Sequence, residues 1–152
     1  MYPVFYFASE NLMNYKALHS MLALMLLFAQ TDHNTPSGHP FDPCPDSPNC
    51  VIDSADFSIP ASRLIHLADE TLKKMGAYEV HTDQMKLSID AIFRIRLFGF
   101  KDDVQIHIIE NDVQGSRLFI RSASRTGYSD LGVNQRRVTK FFNQLENKIK
   151  QL

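Results

Sequence analysis

From Leu87 to Ser122 the chain alternates apolar and polar residues, and only short turn-like stretches break the pattern. Leu87, Ile89, Ala91, Phe93, Ile95 and Leu97 alternate with Ser88, Asp90, Arg94 and Arg96. Val104, Ile106 and Ile108 alternate with Gln105 and His107. Leu118, Ile120 and Ser122 alternate with Arg117, Phe119 and Arg121. Period two puts successive side chains on opposite faces, so these are half-buried strands. Ala77 to Thr82 is a shorter candidate, followed by a turn at Asp83 and Gln84. Gly99 and the stretch from Asn111 to Gly115 break the chain between the later strands. Loops this short allow only antiparallel pairing, because a parallel neighbour needs a long crossover.

Helical periodicity flanks the strands. Ala61, Leu64, Ala68, Leu72 and Met75 lie on one stripe, with Pro60 suited to the start and Gly76 to the stop. Val138, Phe142, Leu145, Ile149 and Leu152 form a second stripe, widened by Phe141, for which Asn134 is the expected N-cap. The predicted fold is therefore α+β: an antiparallel sheet of about four strands, with an N-terminal helix and a long C-terminal helix packed on it. Ile92, Phe98, Ile109 and Phe119 fall on the opposite sheet face and predict a cavity or a partner there.

The chain of 152 residues suffices for one domain with a core. Its formal net charge of -1 gives no global field towards nucleic acid. The six histidines show no zinc-site spacing, and neither a metal nor a cofactor is expected. His66 and His107 read as ordinary helix and sheet histidines.

Ahead of the domain, Met21 to Ala29 is an unbroken apolar run preceded by Lys16 and His19. This order fits a signal peptide or N-terminal anchor over residues 1–29, with Met13 an alternative start. The run is shorter than the about 20 apolar residues of a membrane span. If uncleaved, the segment would tether the chain to a membrane. A Pro-rich linker is expected over 30–43, then a single domain over 44–152. Cys44 and Cys50 lie close together in a loop with Pro45 and Pro48. In an oxidising compartment they are expected to form a disulfide; free thiols, a redox pair or a metal site completed elsewhere are the rivals.

The stretch from Arg121 to Arg137, RSASRTGYSDLGVNQRR, joins the last strand to the last helix and is the densest in polar groups. Arg121, Ser122, Ser124, Arg125, Tyr128, Asp130, Asn134 and Arg137 are its candidate ligand-binding residues. Guanidinium groups beside a helix N-terminus suit a carboxylate or phosphate. A curled sheet and long helix could instead enclose a lipid, by analogy with helix-grip domains. The catalytic alternative is a hydrolase-like site in this loop, with Ser122, Ser124 or Ser129 as nucleophile or Asp130 paired with Asp102 or Asp103. No Gly-x-Ser-x-Gly elbow supports it. A third reading is structural, with Arg121 paired to Asp130 or Asp103 and the hydroxyls satisfying loop backbone.

Two segments also carry a resemblance. CPDSPNCV, from Cys44 to Val51, and RSASRTGYSDLGVNQRRV, from Arg121 to Val138, resemble the uncharacterised family known as domain of unknown function fourteen-ninety-nine. GFKDDVQIHI, from Gly99 to Ile108, is similar to that family's mid-domain segment. The resemblance runs from about Pro43 to the C-terminus, and Ile52 stands where the family usually has serine. Members occur in bacteria and plant plastids, often behind export or transit segments, which implies export here too. It implies no activity or ligand. The expectation is an exported, periplasmic or envelope-associated, non-catalytic domain that binds a small anionic molecule, a lipid or a protein partner.

Overall fold

The computed structural model describes residues 38–94, 99–111 and 115–152. The predicted signal or anchor segment, most of the linker, and Ile95, Leu97 and Phe98 lie outside these residues. Five strands form one antiparallel sheet: β1 (Cys50–Phe57), β2 (Glu79–Asp83), β3 (Ser88–Arg94), β4 (Lys101–Asn111) and β5 (Gly115–Ser124), in the order β1-β5-β4-β3-β2. Helix α1 (Ala61–Lys74) follows β1, and α2 (Val133–Ile149) follows β5. The strand count exceeds the expected four because β1 is a strand in its own right. Its sequence, CVIDSADF, places Asp53 among the inward positions and so lacks clean alternation.

Both helices lie on one face of the sheet. The period-two residues Ile89, Ala91, Val104, Ile106, Ile108, Leu118 and Ile120 meet Leu64, Ile65, Ala68 and Leu72 of α1 and Val138, Phe141 and Leu145 of α2 in one core. Phe141, Leu64, Ile65 and Leu72 are among its largest fully buried side chains, so bulky groups fill the space between sheet and helices. On α2, Phe141 is fully buried and Phe142 only partly buried, while Leu152 lies past the helix and is 64% exposed. The expected stripe is thus rotated slightly and ends sooner.

Local chemistry sets the bounds of α1. The carbonyl of Pro60 accepts from the amides of Arg63 and Leu64. At the other end Gly76 takes φ 89°, while Ala77 N donates to Leu72 O and Gly76 N to Lys73 O, the paired bonds of a Schellman stop. Thr82 of β2 and Lys73 both donate to Asp69, at 2.7 Å each, which ties α1 to the edge of the sheet.

The face turned away from the helices is far more polar than Ile92, Ile109 and Phe119 suggested. Glu79, His81, Asp90, Asp103, Gln105, His107, Arg117 and Arg121 share its register positions. Phe119 is buried among them, Ile92 is half-buried and Ile109 is 41% exposed. Arg117 makes a two-pronged contact with Asp56 across β5 and β1.

Candidate functional site

Because side chains alternate along β5, the end of this strand divides the polar stretch between two faces. Ser122 and Ser124 point towards the helices, whereas Arg121 points away. The inward set forms a closed network. Ser122 Oγ donates to Asn134 Oδ1 at 2.6 Å, and Asn134 Nδ2 donates to Ser124 Oγ and to the Asn49 carbonyl at 3.0 Å each. Ser124 Oγ donates to Asp102 Oδ1 at 2.7 Å. Arg137 donates to Ser122, Asn134 and Asp102, and its guanidinium lies over the Phe93 ring at 4.7 Å. Asp102, Ser122 and Asn134 are fully buried. Each polar group found a partner within the protein, which is what burial demands.

Asn134 therefore does not cap α2. Leu131 and Gly132 both adopt left-handed backbone, with φ 54° and 75°, and this turn carries Asp130 over the first turn of the helix. Asp130 Oδ1 accepts from Gly132 N at 2.8 Å, and Oδ2 accepts from Asn134 N at 2.6 Å. Asp130 satisfies orphan helix amides and places a negative charge at the positive end of the dipole. Capping has moved upstream, which frees the Asn134 side chain for the interior.

The disulfide is formed: Cys44 and Cys50 are bonded, with their Cα atoms 5.6 Å apart. The loop it closes presents Asn49. The Asn49 carbonyl accepts from Ser124 N as well as Asn134, its side chain donates to the Gly127 carbonyl, and Ser47 Oγ donates to its Oδ1. Tyr128 is 74% exposed at the loop surface and has no part in this network.

The outward pair behaves differently. Arg125 forks onto Asp103, with three contacts between 2.7 and 3.0 Å. The hydrogen bonds and charge of Asp103, with Glu79 adding at longer range, raise the Arg125 pKa above its ordinary value. Arg121 pairs with neither Asp103 nor Asp130. It reaches Gln105 Oε1 at 3.4 Å, a long contact, and its buried Nε has no hydrogen-bond partner among the described residues. Beside it the sheet forms a concavity of about 370 Å³ lined by Arg121, Arg125, Asp103, Gln105, Asp90, Ile92, His81 and Glu79, with the backbone of Ala91 and Val104.

Of the candidate ligand-binding residues named from sequence, only Arg121 and Arg125 meet at this concavity, together with Asp103 of the catalytic alternative. Ser122, Ser124, Asn134 and Arg137 turn inward, Asp130 caps, and Tyr128 stands apart. Glu79, His81, Asp90 and Gln105 were not among the candidates. They come from three strands, β2, β3 and β4, and are gathered by register, His81 to Asp90, Asp90 to Gln105 and Gln105 to Arg121. The only trace in the sequence was their place on the polar side of each alternation.

A family model described as Protein of unknown function (DUF1499) matches residues 41–145. No curated protein matches the chain. Among solved structures, the chain is similar to the crystal structure of Ara h 8.0201, with a TM-score of 0.48 at 11% identity over 68% of this chain and 98% of that one. It is also similar to the crystal structure of TTHA0849 from Thermus thermophilus, with a TM-score of 0.45 at 14% identity over 67% of this chain and 97% of that one.

Proposed function

The chain belongs to the DUF1499 family of proteins of unknown function, and from that premise we propose that its folded domain is a non-catalytic binding module for a small polar ligand, received on the open face of the sheet. The observation that carries this reading is Arg121. At the edge of a concavity its Nε has no partner among the described residues, and its contact to Gln105 is long. An under-used guanidinium costs free energy, and its outer N–H groups, held only by the long contact to Gln105, can fork onto a carboxylate or phosphate oxygen. The ligand's anionic group docks on Arg121, with Gln105 as a second contact.

A hydrolytic role finds less support. Ser122 is wholly buried, Ser124 donates to Asp102, and the oxygen of Ser129 accepts from Leu131 N. A lipid between sheet and helices would have to displace Phe141, Leu64, Ile65 and Leu72. An exported or envelope setting accompanies the proposal, on the strength of the Cys44–Cys50 disulfide and the apolar run at Met21 to Ala29.

The test is an NMR titration with propionate as the anionic probe. The Gln105 side-chain amide and the backbone amides of Ala91 and Val104 should shift, and Arg121→Gln should abolish those shifts without changing the fold. Equal shifts in the Arg121→Gln variant would rule the site out.

A further inference from the structure

Resting on the reading that Arg121 receives an anionic group, we propose that the ligand is a small zwitterion, carrying an ammonium a few bonds from its carboxylate or phosphate. The charge lining the concavity points this way. Arg121 and Arg125 are positive, whereas Glu79, Asp90 and Asp103 are negative. The fork between Arg125 and Asp103 neutralises one of each. Arg121 is left lining the same concavity as Asp90 and Glu79. A plain anion would gain one guanidinium and approach two carboxylates, a poor exchange in a half-enclosed site. A molecule with both charges gains at both ends.

The strands set the spacing. Asp90, Gln105 and Arg121 are successive partners across β3, β4 and β5. Arg121 reaches Gln105 on the neighbouring strand, and Asp90 lies one strand, about 5 Å, beyond Gln105. Yet among the described residues Arg121 and Asp90 form no ion pair, and the Asp90 side chain makes no hydrogen bond. Two opposite charges thus share one row of the sheet, two strands apart, without pairing with each other. A ligand ammonium fits against Asp90, with Glu79 on the same side, while its anionic group takes Arg121. Charge-assisted contacts at both ends also select against molecules that carry only one of the two groups.

The experiment is calorimetric titration of the full chain at low ionic strength with four probes. β-Alanine and O-phosphoethanolamine are the zwitterions; propionate and inorganic phosphate are their singly functional counterparts. Each zwitterion should bind at least about tenfold tighter than its counterpart, the value of one charge-assisted contact. Asp90→Asn should erase that advantage while leaving propionate binding equal or stronger, and Asp90→Glu should restore part of it. A larger gain for β-alanine identifies a free amino acid as the source of the chemistry, and a larger gain for phosphoethanolamine a phosphate-bearing headgroup. If propionate binds as tightly as β-alanine, or if Asp90→Asn keeps the advantage, the zwitterion assignment fails while the Arg121 site stands. If no probe binds, or if Arg121→Gln leaves every affinity unchanged, both readings fall together.

Discussion

Arg137 and Asp102 form an ion pair inside the domain, with the Asp102 side chain wholly buried and that of Arg137 only 9% exposed. Ser122 and Asn134 accept from the guanidinium, Ser124 donates to the carboxylate, and Phe93 lies under the guanidinium. Removing one partner strands the other charge in the interior, so Arg137→Ala should cost about 3–5 kcal/mol. Replacing both, as Asp102→Leu with Arg137→Met, should recover much of that loss. Urea unfolding decides the matter: a single variant within about 1 kcal/mol of the parent would show that the pair is better solvated than its burial suggests.

Asp130 carries the cap of α2. Asp130→Ala should destabilise the domain by about 1 kcal/mol, whereas Asp130→Asn should recover part of that loss, since its amide oxygen keeps one of the two acceptor contacts while its nitrogen cannot accept and the charge is gone. Hydrogen exchange at the Gly132 and Asn134 amides gives the local readout. Unaltered exchange at both in Asp130→Ala would refute the assignment.

The disulfide closes a short loop, and its chain-entropy contribution is on the order of 2 kcal/mol. Cys44→Ser with Cys50→Ser should lower stability by about that amount. The loss should exceed the entropic figure if Asn49 also lets go of Ser124 and Asn134. Denaturant midpoints of the parent and double variant measure the first effect, and the Ser124 amide exchange rate the second. No change in either would mean that the loop holds its shape without the bond.

Acid should weaken the tie between α1 and β2. Burial pushes the Asp69 carboxyl up, but hydrogen bonds from Lys73 and Thr82 outweigh it and hold the pKa below the ordinary 3.8. A carboxylate depressed in the folded state stabilises it above the unfolded pKa, and that contribution disappears as pH falls through the folded pKa. Stability should therefore drop as pH is lowered from about 5 to below 3.8. Asp69→Asn should be less stable at neutral pH by about 1 kcal/mol and should show a shallower acid loss. Parallel stability–pH curves for parent and variant would count against this account.

Much of the fold was legible because its signals are local. Pro60 and Gly76 bracket α1, and the alternations through Ile89, Ile106 and Ile120 mark the three central strands. β1 was not legible, since an edge strand carrying Asp53, Ser54 and Asp56 needs little apolar contrast to pair with β5. Asn134 misled because its residue type suits a cap, whereas two left-handed residues before it handed that task to Asp130. At the site, Arg121 and Arg125 stood out by type, but which of them Asp103 would neutralise depended on side-chain reach across β4. Asp90, His81 and Gln105 become neighbours only through strand register, which no short stretch of sequence encodes.

The placement of Asn49 has a mechanical consequence. Tension entering the domain from the N-terminal side of Cys44 passes through the sulfur–sulfur bond straight to Cys50 and the start of β1, bypassing residues 45–49. Asn49 is thereby shielded from the load, and its grip on Ser124 and Asn134 can persist while β1 bears the force. A domain tethered from that side would thus keep its last strand and last helix fastened together under strain, with the open face of the sheet still in register.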